Sequence, residues 1–151
     1  MKVVIVCVSV SHGNTERVAE VMADVLGARV VSPEEVGPAD LDSCDLVGFG
    51  SGIFGMDFHP RLRRFIEELP SKRRRKAFVF STSGLPEPRF RRYIRRLARL
   101  LGQKGFDVVD TFSCRGFDTW LPFKLVGGIS KNRPGTADLD AARRFAEGLL
   151  G

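Results

Sequence analysis

The stretch VVIVCVSVSHGNT, residues 3–15, passes from an apolar run into small polar residues. The run Val3–Val8 predicts a buried strand, and the apolar spacing after it predicts a helix over residues 14–26 that ends at Gly27. Free backbone N–H groups at a helix N-terminus point outward, and the helix dipole places roughly half a positive charge there. The segment Ser9–Thr15 therefore predicts a phosphate site, although alone it could also be only a helix cap.

The rest of the chain continues this alternation. Further strands are predicted over Ala28–Val31, Asp45–Gly50, Lys76–Phe80 and Phe106–Ser113, and further helices over Pro60–Leu69, 87–103 and Ala137–Leu150. Loops are predicted around Pro33, Gly37 and Pro38 and through the glycine-rich residues 51–56. Strands that alternate with helices predict an α/β fold with a parallel sheet covered on both faces. The length of 151 residues, with no visible linker or repeat, predicts one domain over residues 1–151.

Composition and cysteine usage exclude several classes of protein. Hydrophobic residues make up 43% and charged residues 28%, which is ordinary for a globular chain. No stretch approaches the roughly 20 apolar residues of a membrane helix, and the N-terminus lacks the features of a signal peptide, so a cytoplasmic location is expected. The chain has an odd number of cysteines, Cys7, Cys44 and Cys114, and no C-x-x-C motif. We therefore interpret them as structural thiols rather than as disulfide, zinc or redox residues.

The first loop does not match the common phosphate motifs. It lacks the G-x-x-x-x-G-K-[ST] of the P-loop, and it has a single glycine where the Rossmann motif needs several. Gly13 stands where a C-x5-R phosphatase loop would have arginine, and Val8-Ser9 ends the strand where a receiver domain needs acidic residues. The loop offers neutral hydroxyl, amide and backbone donors, with only His12 able to carry a charge, and such a set suits a phosphate monoester.

Several segments resemble the flavodoxin family. Gly13-Asn14-Thr15-Glu16 is similar to the family's first loop, although His12 stands where many members have threonine. Asp45–Gly55 is similar to the second FMN loop, Phe80–Gly84 to the third, and Cys114–Trp120 to a segment of one subgroup, so the resemblance covers nearly the whole chain. It implies a flavodoxin-like, doubly wound sheet of five parallel strands in the order 2-1-3-4-5, with helices on both faces, and FMN as the cofactor.

The resemblance also implies which residues bind the cofactor. They are Ser9, Val10, Ser11, His12, Gly13, Asn14 and Thr15 at the phosphate, Ser51, Gly52, Ile53, Phe54 and Gly55 beside the flavin ring, Ser81, Thr82, Ser83 and Gly84 at the pyrimidine edge, and Phe117 and Trp120 as aromatics that shield the ring. In the family, a peptide of the second loop can reorient toward the reduced ring, which Gly52 or Gly55 could allow here. The aromatics could instead be core residues, and His59, before Pro60, is interpreted as a surface residue. No catalytic residue and no metal ligand is expected.

The implied function is that of an FMN-binding electron-transfer flavoprotein. The alternative is an NAD(P)H-dependent flavin or quinone oxidoreductase on the same fold, whose substrate the long connection Arg115–Thr136 could cover. The short chain and the lack of a second nucleotide motif favour the carrier. A third class, a flavin-free interaction module, would need the first loop to be vestigial.

The net charge of +6 is unevenly distributed. Residues 59–105 hold 15 Lys/Arg against 3 Asp/Glu, and the rest of the chain holds 9 against 15. The basic residues include the run Lys72–Lys76 and, on the polar side of the helix over 87–103, Arg89, Arg91, Arg92, Arg95, Arg96 and Arg99. This surface is either simply solvated or a docking face for an acidic redox partner protein. Nucleic acid is not expected, because no recognition motif accompanies the charge. Typical flavodoxins are acidic, so this basic surface departs from the family and the family's usual partners are not carried over to this chain.

Overall fold

The computed structural model describes residues 1–9, 14–54, 57–71, 75–82, 87–114 and 136–150. The strands are β1 (Val3–Val8), β2 (Arg29–Val31), β3 (Leu46–Phe54), β4 (Asp57–Phe58), β5 (Arg75–Thr82) and β6 (Phe106–Cys114). The helices are α1 (Asn14–Leu26), α2 (Pro38–Asp42), α3 (Pro60–Glu67), α4 (Glu87–Gln103) and α5 (Thr136–Leu149), and Pro33–Glu35 forms a 3-10 turn. Among the helices of these ranges, none is long and apolar enough to cross a membrane.

Five strands form one parallel sheet in the order β2-β1-β3-β5-β6. The predicted doubly wound fold is therefore confirmed, with β5 and β6 as the fourth and fifth parallel strands. The two-residue strand β4 is an addition, since it pairs antiparallel with the end of β3. The order reverses between β1 and β3, and ligands of open α/β sheets bind at the carboxyl ends of strands at such a point.

Two local predictions were wrong. The glycine-rich loop predicted from residue 51 begins later, because β3 continues to Phe54 and pairs Ile53 and Phe54 with β4. The segment predicted as loop around Pro33 and Pro38 contains the 3-10 turn and α2. Each begins with its proline at the first helical position, where the missing N–H costs nothing.

The two faces of the sheet carry separate hydrophobic cores. One core joins α2, α3 and α4 to sheet residues that include Phe49 and Val79. The other joins α1 and α5 to sheet residues that include Phe78 and Phe80. Because side chains alternate along a strand, neighbouring residues at the end of β5 face opposite sides of the sheet.

Two glycines of β3 make room for aromatic rings of β5. Gly48 and Gly50 pair in register with Phe78 and Phe80, whose ring centroids lie 6.1 Å apart. A Cβ on either glycine would come closer than 3.0 Å to the ring beside it. These two glycines, which the sequence places in a segment similar to a flavin loop, are therefore explained by packing inside the sheet.

Candidate functional site

A buried pair of hydroxyls joins the first and third predicted loops. Thr15, in the first turn of α1, and Thr82, the last residue of β5, have their Oγ1 atoms 2.7 Å apart, and both residues are buried. Their strands are not neighbours, because β3 lies between β1 and β5. Thr82 pairs in register with Gly52 of β3, and a residue without a side chain at that position leaves space above β3. The structure thus brings three of the predicted site residues together.

A second contact holds the two ends of the first loop. Ser9, directly after β1, accepts a hydrogen bond through its Oγ from the backbone N–H of Glu16 in α1, at 3.2 Å. Ser9 therefore satisfies one of the N–H groups that a helix N-terminus leaves without an intrahelical partner. Val10, Ser11, His12 and Gly13 lie outside the described residues, and of Asn14 only its place in the helix is described.

Three serines form a row across neighbouring strands at the carboxyl edge. Ser51 of β3, Ser81 of β5 and Ser113 of β6 are register partners, so their side chains lie on the same face of the sheet. Ser51 and Ser81 are fully buried, whereas Ser113 is exposed. Within the described ranges, the Oγ of Ser81 has no hydrogen-bond partner. A buried hydroxyl without a partner is costly, so Ser81 is a group that a ligand could satisfy.

The second predicted loop is anchored by Ser51. Its Oγ donates to the Gly52 carbonyl at 2.7 Å and accepts from the His59 N–H at 3.1 Å. This bond restrains the Gly52 carbonyl, and Gly55 lies outside the described residues. Ile53 is half-buried against the core of α2, α3 and α4, and the side chain of Phe54 is not described.

The remaining residues of the predicted site lie outside the described residues. They are Ser83, Gly84, Phe117 and Trp120.

Sequence reasoning missed His59 as part of the site's support. The sequence signal was the pair His59-Pro60, since a side-chain acceptor directly before a proline is typical of a helix start.

His59 is half-buried and caps α3, rather than being simply a surface residue. Its Nδ1 accepts a hydrogen bond from the backbone N–H of Arg61 at 3.0 Å. Burial lowers the pKa of His59 below its usual 6.5, and the positive charges of Arg61 and Arg63 lower it further. The imidazole is therefore neutral at pH 7, as an acceptor at Nδ1 requires.

Protonation of His59 is expected to weaken the fold. Because the folded-state pKa lies below the unfolded value, stability is complete above about pH 6.5 and falls as the pH drops from there through the folded pKa. Urea unfolding of the protein and of His59→Asn, which keeps an acceptor that does not titrate, should be compared at about pH 7.5 and about pH 5.5. The variant should lose less stability on acidification, and identical losses would contradict the assignment.

The described cysteines behave as structural thiols. Burial raises the pKa of Cys7 in β1 to about 12, with further contributions from Glu16 and Glu20, so its thiolate is not populated near neutral pH. Burial also raises the pKa of Cys44, and its Sγ donates to the Asp40 carbonyl at 3.3 Å. For both residues the structural interpretation agrees with their surroundings, and the side chain of Cys114 is not described.

The basic run Lys72–Lys76 does not act as one solvated surface. The side chain of Arg75 is only 10% exposed, its Nη1 lies 2.9 Å from Asp42 Oδ1, and its guanidinium carbon lies 4.0 Å from the centroid of the Phe106 ring. Arg75 thus connects β5 to α2 and β6. Lys76 is exposed, and residues 72–74 lie outside the described ranges.

The strand order and the N-terminus of α1 at the carboxyl edge define a doubly wound α/β protein. A family model described as a flavodoxin domain matches residues 5–116. An uncharacterized protein of Methanocaldococcus jannaschii is 38% identical over 150 residues, which cover 99% of this chain and 99% of the relative. The chain belongs to the flavodoxin family, and that membership implies a flavin cofactor, typically FMN.

Solved flavodoxin structures share the fold at low sequence identity. A flavodoxin from the domain Archaea has a TM-score of 0.65 at 18% identity, with 98% of this chain and 95% of that chain covered. Flavodoxin 1 of Bacillus cereus has a TM-score of 0.69 at 18% identity, with 97% and 95% covered. Flavodoxin 2 of the same organism has a TM-score of 0.70 at 17% identity, with the same coverage. At these identities the similarity concerns the fold alone.

Proposed function

We propose that this protein binds FMN at the carboxyl edge of β1, β3 and β5 and transfers electrons between other proteins. The observation that carries the proposal is the buried bond between Thr15 and Thr82. It ties the N-terminus of α1, where a phosphate is favoured, to the end of β5, beside the row of serines. Family membership and the donor chemistry of this edge support the same cofactor.

The described residues fit a neutral cradle for a phosphate monoester. Each hydroxyl has one donor and two acceptor positions, so Thr82 can donate to Thr15 while the Thr15 O–H remains available for a phosphate oxygen. The backbone N–H groups of the first turn of α1 would add to this site. The buried, unpartnered hydroxyl of Ser81 points to the other face of the sheet from Thr82 and so does not belong to this cradle.

FMN, when bound, supplies one- and two-electron chemistry, and the protein supplies binding and orientation. Thr15 would hold the phosphate end, and Thr82 would fix the direction of the Thr15 hydroxyl. Ser51 would keep the second loop in place through its bonds to Gly52 and His59. No proton transfer by a side chain is required for a carrier, and none is assigned.

Titration of FMN into the purified, flavin-free protein tests this proposal. We expect quenching of FMN fluorescence with one site per chain and a dissociation constant in the micromolar range or below, with riboflavin bound more weakly because it lacks the phosphate. Protein that binds neither compound would contradict the proposal. Rapid bleaching of the FMN complex by NADPH alone, without a partner protein, would favour the reductase over the carrier.

A further inference from the structure

Four exposed arginines form a single stripe along α4. They follow the i, i+3, i+4, i+7 spacing that places side chains on one face of a helix. The stripe consists of Arg92, Arg95, Arg96 and Arg99, and we refer to it as the α4 stripe. The opposite face of the helix packs Tyr93, Leu97 and Leu101 into the core. Arg92, Arg95 and Arg99 therefore form no part of this buried face, whereas the guanidinium carbon of Arg96 lies 5.4 Å from the centroid of the Tyr93 ring.

Three of the four arginines of the α4 stripe have no carboxylate partner among the described residues. In the part of the chain that the structure describes, no carboxylate forms an ion pair with Arg92, Arg95 or Arg99. Near Arg96 lies Asp57, whose Oδ2 is 3.8 Å from Arg96 Nη1 and also 3.8 Å from Arg63 Nε on α3. One carboxylate is thus shared by two guanidinium groups. Like charges at these spacings destabilise a helix, so the contacts of Arg92, Arg95 and Arg99 with the described residues give no structural reason for the stripe.

Two other arginines between residues 59 and 105 form ion pairs that join elements of the fold. Arg61 pairs with Glu34, and Arg75 pairs with Asp42 and lies over the Phe106 ring. These pairs neutralise charge where α3 and β5 meet the segment between β2 and β3. Beside these pairs, the exposed basic residues that the structure describes between residues 59 and 105 are those of the α4 stripe, Arg64 of α3 and Lys76 of β5.

The α4 stripe begins close to the candidate cofactor edge. Helix α4 starts at Glu87, five residues after Thr82, and runs back toward the opposite end of the sheet. With a rise of about 1.5 Å per residue, Arg92 lies about 8 Å along the axis from the start of the helix, and the stripe extends about 10 Å further. A protein bound along the stripe would therefore lie beside the edge that carries Thr82.

The surroundings of the stripe favour a compact acidic protein over a long polyanion. Toward β2 the same side of the sheet carries Glu35 and Asp40, which form no ion pair among the described residues, beside Glu34 and Asp42, which pair with Arg61 and Arg75. Duplex nucleic acid that extended beyond the stripe would meet this negative charge, whereas an acidic patch of about 10 Å would not. Attraction between such patches raises association rates and fixes orientation.

We propose that the α4 stripe is the docking surface for an acidic redox protein. This partner approaches along α4 and places its own redox centre next to the carboxyl edge of β5. That the partner is a redox protein rests on the proposed electron-carrier function, whereas its acidic character rests on the stripe alone. Since exposed charges are screened within about 10 Å at 0.1 M salt, docking weakens steeply as salt is raised.

Calorimetric binding of an acidic, plant-type [2Fe–2S] ferredoxin tests the proposal. The binding is measured at low and high salt, with both the flavin-free and the FMN-treated protein. We expect Arg92→Glu combined with Arg95→Glu to weaken low-salt binding at least about tenfold. The matched control is Arg143→Glu combined with Arg144→Glu on α5, which makes the same charge change at exposed positions on the other side of the sheet and should have a much smaller effect.

Each outcome decides the proposal. A salt-sensitive loss confined to the α4 variant supports it, and equal losses in both variants, or no ferredoxin binding at low salt, overturn it. Tighter binding of a short DNA duplex, abolished by the α4 variant, would assign the stripe to nucleic acid. Concentration-dependent self-association abolished by the same variant would assign it to a second copy. If the protein binds ferredoxin but not FMN, the proposed cofactor fails while the docking surface stands.

Discussion

Replacing Gly50 by alanine is expected to destabilise the protein by about 2–3 kcal/mol, as overpacking of a buried site does. The new Cβ would come closer than 3.0 Å to the ring of Phe80, which is fully buried and stacked beside Phe78. Because both rings are fully buried, the new Cβ requires the Phe80 ring to shift within the packed core or the strands to separate. The gain from the lower chain entropy of alanine, about 0.5–1 kcal/mol, offsets only part of this cost. Urea unfolding at neutral pH measures the change.

Two further variants isolate the cause of this loss. Gly102→Ala in α4 is the matched control, because a Cβ there would meet no heavy atom within 4 Å, and we expect it to stabilise the protein by about 0.5–1 kcal/mol. Phe80→Leu in the Gly50→Ala background should recover part of the loss, with a coupling energy of about 1 kcal/mol or more. A neutral Gly50→Ala variant would mean that the register of β3 against β5 is wrong.

The glycines of β3 are a feature whose cause could not be predicted from the sequence. Gly48, Gly50 and Gly52 recur with a period of two, which is the period of a strand face. The sequence favoured a flexible loop from residue 51, because glycine is a common loop residue. The end of this segment is a strand partly because it pairs with β4. Residues 48 and 50 are glycines because the rings of Phe78 and Phe80, about 30 residues later in the chain, occupy the space beside them. Neither contact is visible in local periodicity.

The parallel sheet and its strand order, in contrast, could both be predicted, the sheet from the apolar runs and the order from the family resemblance. Apolar runs such as Val3–Val8 and Ala77–Phe80 mark strands that are covered on both faces, and helices between them require parallel connections. The order 2-1-3-4-5 came from the family resemblance of the loops rather than from the runs. The sequence placed Thr15 and Thr82 at the same site, but their direct bond depends on the way α1 crosses β3, which no spacing in the sequence encodes.

The sequence also predicted only part of the role of the basic residues. The amphipathic spacing of the helix over 87–103 predicted which arginines point away from the core. The exposure of the α4 stripe confirms this for its four arginines, and the side chains of Arg89 and Arg91 lie outside the described residues. The pairing of Arg75 with Asp42 was not predicted, because the two residues are 33 positions apart. Composition therefore overstated the solvated basic surface. Only tertiary contacts separate arginines that hold strands and helices together from arginines that are available to a partner.

Replacing Thr15 by valine is expected to weaken FMN binding about 10- to 150-fold, as the loss of a hydrogen bond to a charged group of about 1.5–3 kcal/mol does. Valine keeps the shape of threonine but removes the donor that we assign to the phosphate. Riboflavin, which has no phosphate, should lose much less. Fluorescence titrations with both ligands measure the difference, and Thr111→Val at an exposed position of β6 controls for the chemical change itself.

The same substitution also affects the fold, and a double variant separates the two effects. Thr15→Val leaves the buried Thr82 hydroxyl without its partner, which should cost about 1–3 kcal/mol of stability, and Thr82→Val should cost a similar amount. Replacing both residues by valine removes the unsatisfied group and should restore most of that stability. It should not restore FMN binding, because the phosphate donor is still absent. Parallel recovery of both properties, or equal losses of FMN and riboflavin, would mean that Thr15 supports the fold and does not contact the phosphate.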